Sequence, residues 1–176
     1  RQFKIAGLSL LKTTKIFITH WHGDHILGLP GFLQTLVLNK YQKVVEIYGP
    51  KGTRIFLQLI LKVFVPRETI KVKIHEIAKE RIEFQDFFIE SWPMQHSASC
   101  NAYCFIEKDK RKIKLQFVKK IPGKLLGELQ KGKDVSYEGK KIKVSDATNL
   151  VRGRKICFVL DTLMNDNCFE TISNSK

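Results

Sequence analysis

Apolar residues along the chain fall into short runs whose spacing changes part-way. Lys15 to Thr19 (KIFIT) is an apolar, β-branched run that predicts a buried strand stopping abruptly at the polar cluster Thr19-His20-Trp21-His22-Gly23-Asp24-His25. Leu27 to Leu38 predicts a helix behind a Gly-Leu-Pro-Gly entry, Lys43 to Tyr48 a strand, and Thr53 to Phe64 an amphipathic helix with Thr53 as its N-cap. Strands and helices alternating in this way predict α/β layering. Beyond Pro66 the period becomes two, with Ile70, Val72 and Ile74 on one face, and strands are expected near 81–92, 102–107 and 112–118. Lys124 to Gln130 predicts a short helix, Val135 to Val144 a hairpin turning at Glu138-Gly139, and Lys155 to Leu160 another buried strand. With 176 residues and no linker or repeat, residues 1–176 are expected to form a single domain.

Composition narrows the class. At 43% hydrophobic and 27% charged residues, long disorder is excluded. The apolar stretch Ile55 to Val65 is broken by Gln58 and Lys62 and falls short of the ~20 residues that cross a bilayer. Arg1 to Leu11 has too short an apolar run for a secretory signal, so the chain reads as soluble and cytoplasmic, with no membrane partner. Lys plus Arg number 31 against 17 acids, a net charge of +14, which suits a polyanion such as nucleic acid better than a neutral metabolite. Residues 108–124 hold eight of those cations and one acid, Asp109, making Lys108, Lys110, Arg111, Lys112, Lys114 and Lys124 candidate RNA contacts. The alternative is a solvated lysine face. Cys100, Cys104, Cys157 and Cys168 form no C-x-x-C pair and are expected to be buried free thiols rather than ligands or disulfide partners.

The cluster His20-Trp21-His22-Gly23-Asp24-His25 places four potential ligands in six residues, although the chain has only five histidines. By composition, H-x-H-x-D-H arises by chance on the order of once in ten thousand chains of this length. His20 and His22, at i and i+2 of an extended segment, point the same way and can hold one metal. Asp24 and His25 continue round a turn loosened by Gly23 and can face a second. Imidazole with carboxylate suits zinc, with manganese or iron as alternatives.

These residues, followed by Gly28-Leu29-Pro30-Gly31-Phe32-Leu33, resemble the metallo-β-lactamase superfamily and, within it, the ribonuclease Z (tRNase Z) branch. The resemblance continues at Pro93-Met94-Gln95-His96, at Tyr103, at Pro122-Gly123-Lys124-Leu125-Leu126-Gly127-Glu128-Leu129 and at Asp161-Thr162. It implies an αββα four-layer sandwich. It also implies that His20, His22 and His96 hold a first zinc ion, that Asp24 and His25 hold a second, and that Asp161 bridges them, with Asp24 as general base. Two ions held close together activate water and stabilise the oxygens of a phosphodiester displacement. The implied reaction is removal of the 3′ trailer from precursor tRNA, by a homodimer. Measured against the family pattern, the chain starts at Arg1 after the expected first strands and stops at Lys176 before a further histidine ligand. It is therefore expected to be a fragment, with a fold incomplete at both termini and a second site short of a ligand. The alternatives are another hydrolase of the same fold, or an RNA-binding protein without a competent site.

Overall fold

The computed structural model describes residues 2–65 and 70–173, so Pro66, where the periodicity changes, and the end at Asn174–Lys176 lie outside it. The described residues cluster into two compact units, one comprising 1–82, 89–105 and 156–176, the other 83–88 and 106–155.

In chain order the elements are α1 (Gln2–Ile5), β1 (Lys15–Phe17), α2 (Gly23–Ile26), α3 (Gly28–Leu38), β2 (Val45–Gly49), α4 (Thr53–Phe64), β3 (Val72–Glu76), β4 (Glu80–Glu83), β5 (Phe87–Met94) and β6 (Cys100–Glu107). They continue with β7 (Lys110–Ile113), α5 (Leu115–Val118), α6 (Gly123–Gln130), β8 (Val135–Tyr137), β9 (Lys140–Ile142), α7 (Val144–Ala147), β10 (Thr148–Val151), β11 (Lys155–Phe158) and α8 (Asp166–Ser173).

The larger unit is layered. Strands β1, β2 and β3 form a parallel sheet in that order, with Lys15 opposite Glu46 and Val45 opposite Val72. Parallel neighbours need a crossover, and α3 and α4 supply it, burying Leu33, Leu36 and Leu57 against Val45 and Ile47. A second sheet has the order β11, β6, β5, β4, and α8 packs on it through Cys168 against Met94, Cys100 and Ala102. Tyr103 of β6 meets Phe17 of β1 edge-on, 5.4 Å between ring centroids, so the two sheets face each other. Helices therefore lie outside two facing sheets, the αββα order that the resemblance implies.

The smaller unit has its own core of Ile121, Leu129, Val135, Val144 and Ala147. In it β7 pairs antiparallel with β10, and β8 with β9. The hairpin turns at Glu138 and Gly139, at φ 50° and 74°, the two positive values that a type I′ turn requires.

Several local expectations are corrected. Residues 81–92 are not one strand but β4 and β5, folded back where the Phe84 amide donates to the Phe87 carbonyl at 2.9 Å. Residues 112–118 divide into β7 and the turn of helix α5, because Ile113, Phe117 and Ile121, four apart, all turn into the core. Gly52, not Thr53, caps α4, in the left-handed conformation at φ 97°, while Thr53 is fully buried as the first helical residue. Cys104 and Cys157 are joined as a disulfide, because β6 and β11 are sheet neighbours and put the two Cα atoms 4.0 Å apart. Cys100 and Cys168 remain buried free thiols.

Candidate metal centre

The parallel strand β1 ends at Phe17, and the chain after it is held from both sheets. The Ile18 amide donates to the Tyr48 carbonyl at 2.8 Å, continuing the pairing with β2 for one more residue. From β6, the Tyr103 hydroxyl donates to the Ile18 carbonyl at 2.8 Å and the Asn101 amide donates to the Thr19 carbonyl at 2.9 Å. The Asn101 side-chain amide in turn donates to the Ile77 carbonyl at 2.9 Å. His20 therefore leaves a clamped segment at the C-terminal end of a parallel strand, the usual place for a site in layered α/β folds. His22 occupies the extended position before α2, and the helical turn from Gly23 swings His25 back toward His20.

Four histidines and one carboxylate meet there. His20 is 0% exposed, with ring centroids 4.8 Å from His22, 4.2 Å from His25 and 4.8 Å from His96. His96 Nε2 lies 3.1 Å from His22 Nδ1. Asp161 Oδ2 lies 3.7 Å from His20 Nε2 and 3.3 Å from His25 Nε2. The donor atoms form two overlapping groups, His20 with His22 and His96, and His20 with His25 and Asp161, each within 4.8 Å of one another. Asp24, with a side chain 76% exposed, stands outside both groups and reaches His25 Nε2 at 3.4 Å.

The segments that bring His96 and Asp161 here are tied together. His96 follows β5 by two residues, and the loop after β11 returns to it, with the Thr162 hydroxyl donating to the Gln95 carbonyl at 3.2 Å and the Leu163 amide donating to the same oxygen at 3.0 Å. The Cys100 thiol reaches the Asp161 carbonyl at 3.6 Å and is pushed up to about 11, chiefly by burial, so it stays protonated beside the cluster.

The donor set fits a divalent metal. Thr19 Oγ1 lies 3.2 Å from His20 Nδ1, which leaves Nε2 facing the other ligands, buried and without a hydrogen-bond partner. Leaving such an atom unpaired costs about 1–3 kcal/mol, a cost that coordination removes. Burial, then the neighbouring His25, His96 and His22, holds the His20 imidazole below the ordinary histidine range, with Asp161 partly opposing. His20 is thus neutral at pH 7, the form that ligates.

The fifth histidine, His75, stands apart in β3, stacked on Tyr48 at 4.4 Å and 3.4 Å from Glu46. The basic candidates all lie in the smaller unit. There Lys108 pairs with Glu83, Lys110 lies 3.7 Å from Asp86, and Arg111 donates to the Thr148 hydroxyl at 3.3 Å. Lys114 donates to the Ser145 carbonyl at 3.4 Å, while Lys112 and Lys124 have no ion pair among the described residues. The roles of Thr19 and Asn101 escape a sequence reading and Tyr103 enters it only through the family resemblance, although a polar Asn101 inside the apolar run Cys100–Phe105 is the kind of residue that marks a buried hydrogen bond.

Residues 1–109 match the family model described as the metallo-β-lactamase superfamily. The chain belongs to that superfamily. Within it, the chain is similar to ribonuclease Z of Thermococcus gammatolerans, 40% identical over 167 residues that make up 92% of the chain and 53% of the relative. It is 35% identical to ribonuclease Z of Pyrococcus horikoshii over its whole length, covering 58% of that relative. Among solved structures it is similar to human tRNase Z, short form, with a TM-score of 0.52 and 26% identity over 61% of this chain and 49% of the other. The chain thus spans about half the length of the curated relatives it matches.

Proposed function

We propose that this chain carries the metal centre of an endoribonuclease that removes the 3′ trailer from precursor tRNA. The observation that carries the reading is the meeting of His20, His22, His25, His96 and Asp161 from three distant segments, with the His20 Nε2 atom buried and unpaired at its middle. Membership of the superfamily and the similarity to ribonuclease Z proteins supply the substrate. We assign zinc, two ions per centre, because imidazole and carboxylate donors without thiolate suit it. The chemistry such a centre would supply is Lewis-acid activation of water and neutralisation of charge on the phosphate oxygens.

The chain's own residues divide the work. His20, His22 and His96 would hold one ion and His25 would hold the other, with the exposed Asp24 beside it turning inward to join. Asp161 faces both His20 and His25, and would ligate beside them. Asp24, open to solvent beside His25, would take a proton from water as general base. Thr19 keeps His20 turned inward. In the smaller unit, Lys112, Lys114 and Lys124 are better candidates for phosphate contacts than Lys108 and Lys110, whose charges meet Glu83 and Asp86. Arg111 retains a second-rank candidacy. Among the described residues no helix is long and apolar enough to cross a membrane. A cytoplasmic homodimer completes the reading, following the family resemblance.

The test is incubation of the protein with end-labelled precursor tRNA and sequencing of the products. A mature tRNA ending in a 3′-hydroxyl plus a released trailer is expected. Intact precursor in the presence of added zinc contradicts the reading.

A further inference from the structure

Trp21 separates His20 from His22 in the chain, so whatever holds Trp21 fixes the direction of both imidazoles. Its indole N–H donates to Thr53 Oγ1 at 2.9 Å, and its ring stacks on Phe56 with centroids 5.5 Å apart. Both partners belong to α4, remote in sequence from the histidine loop.

The turn that leads into α4 is built around the Thr53 hydroxyl. Thr53 is fully buried and its hydroxyl proton goes to the Pro50 carbonyl at 2.7 Å, which leaves its oxygen lone pairs for an incoming donor. A Cβ on Gly49 would stand 2.3 Å from Thr53 Oγ1, so only glycine leaves room for that oxygen. Glu76 Oε1 accepts from the Gly52 amide at 3.1 Å and from the Arg54 amide at 2.9 Å, fixing the start of the helix. Gly52 takes a left-handed conformation at φ 97°, in which a side chain would also crowd Phe56 at 3.1 Å. Every constraint in this turn fixes the position of one hydroxyl and one ring. The group they receive from outside is Trp21.

We propose that Thr53, through Trp21, is a positioning residue of the metal centre: the turn 49–53 sets the orientation of the His20-Trp21-His22 segment, so that the two imidazoles converge before metal arrives. The inference rests on the metal-centre reading above. A cluster of ligands held in place loses less freedom on binding, and groups that orient ligands are typically worth ~10–100-fold in metal affinity.

The experiment measures zinc affinity by competition with a chromophoric chelator, alongside thermal melting of the zinc-free protein. Trp21→Phe keeps the stack on Phe56, leaves the bond from Thr53 to Pro50 intact and deletes only the indole donor. It is expected to weaken zinc binding about tenfold with little change in melting. Thr53→Val should do the same, Thr53→Ser should restore affinity, and the Trp21→Phe/Thr53→Val pair should lose no more than the worse single variant. Wild-type affinity in Trp21→Phe overturns the proposal, and so does a double loss equal to the product of the two single losses. The two readings fail separately. Zinc binding in the wild type that survives His22→Ala would take down the metal centre itself, whereas zinc binding abolished by His22→Ala but untouched by Trp21→Phe removes only the positioning role.

Discussion

In the unit that contains residues 20–25, the side chains of His22, His25, His96 and Asp161, from three separated segments, gather around the buried Nε2 atom of His20. In the unit that contains residues 106–155, sixteen Lys or Arg stand against eight Asp or Glu in 56 residues, so under a third of the chain holds more than half of its net charge of +14. The first arrangement depends on angle and distance, and its histidine loop is clamped by Tyr103, Asn101 and Thr53. The second depends on number and sign. Part of it is spent internally, on Glu83, Asp86, Glu128 and Asp134. On the proposed function, reaction chemistry sits where backbone is over-determined, and attraction of a polyanion is left to solvent-facing lysines that need no fixed geometry.

The sharpest way to break this contrast is Asp161→Ala. If chemistry resides in the larger unit and attraction in the smaller, single-turnover cleavage of precursor tRNA should fall more than about 100-fold, beyond the ~10–100-fold range of residues that only orient ligands. Affinity for the RNA should stay nearly constant. Equal loss in affinity with an unchanged rate would place Asp161 against substrate instead.

The histidine cluster was legible in the sequence because its members are local: an extended i, i+2 pair followed by one turn makes the convergence of His20, His22 and His25 a matter of backbone periodicity. His96 and Asp161 are single residues in unremarkable surroundings, and only the wider family pattern drew attention to them. The hydrogen bonds of Asn101, Tyr103 and Trp21 were invisible for a different reason, since each is made to a partner brought close by the tertiary fold. The same cause hid the Cys104 to Cys157 pairing, which needs β6 and β11 to be neighbours. Of the fold, the long periodic elements α3, α4 and α6 read clearly. Short ones such as α5 and β10 did not, because four residues carry too little periodicity to separate strand from helix.

Core substitutions sharpen the comparison at the level of stability. Leu57 and Leu129 are both fully buried, one in each unit, and replacement by alanine should cost about 2–5 kcal/mol in either case. Denaturant unfolding checks the magnitude, and metal retention separates the two: Leu57→Ala, on the buried face of the helix that holds Trp21, should weaken zinc binding, and Leu129→Ala should not. Loss of zinc in Leu129→Ala alone would reverse the assignment of chemistry to the larger unit.

The smallest effects are expected from the lysines. Each phosphate contact removed should reduce the slope of log affinity against log salt by about 0.7–0.9. Replacing Lys112, Lys114 and Lys124 with Gln should flatten that slope. Replacing Lys108 and Lys110, already facing carboxylates, should change it less. Equal changes for the two sets would mean that the internal ion pairs open in the complex.

The most direct test of the metal centre is elemental analysis of protein loaded with zinc and exhaustively dialysed, in the wild type and in His22→Ala and His96→Ala. Zinc retained by the wild type and lost from both variants is the predicted result, since each variant removes one of three imidazoles that share a group with His20. Variants that retain as much zinc as the wild type would contradict the account.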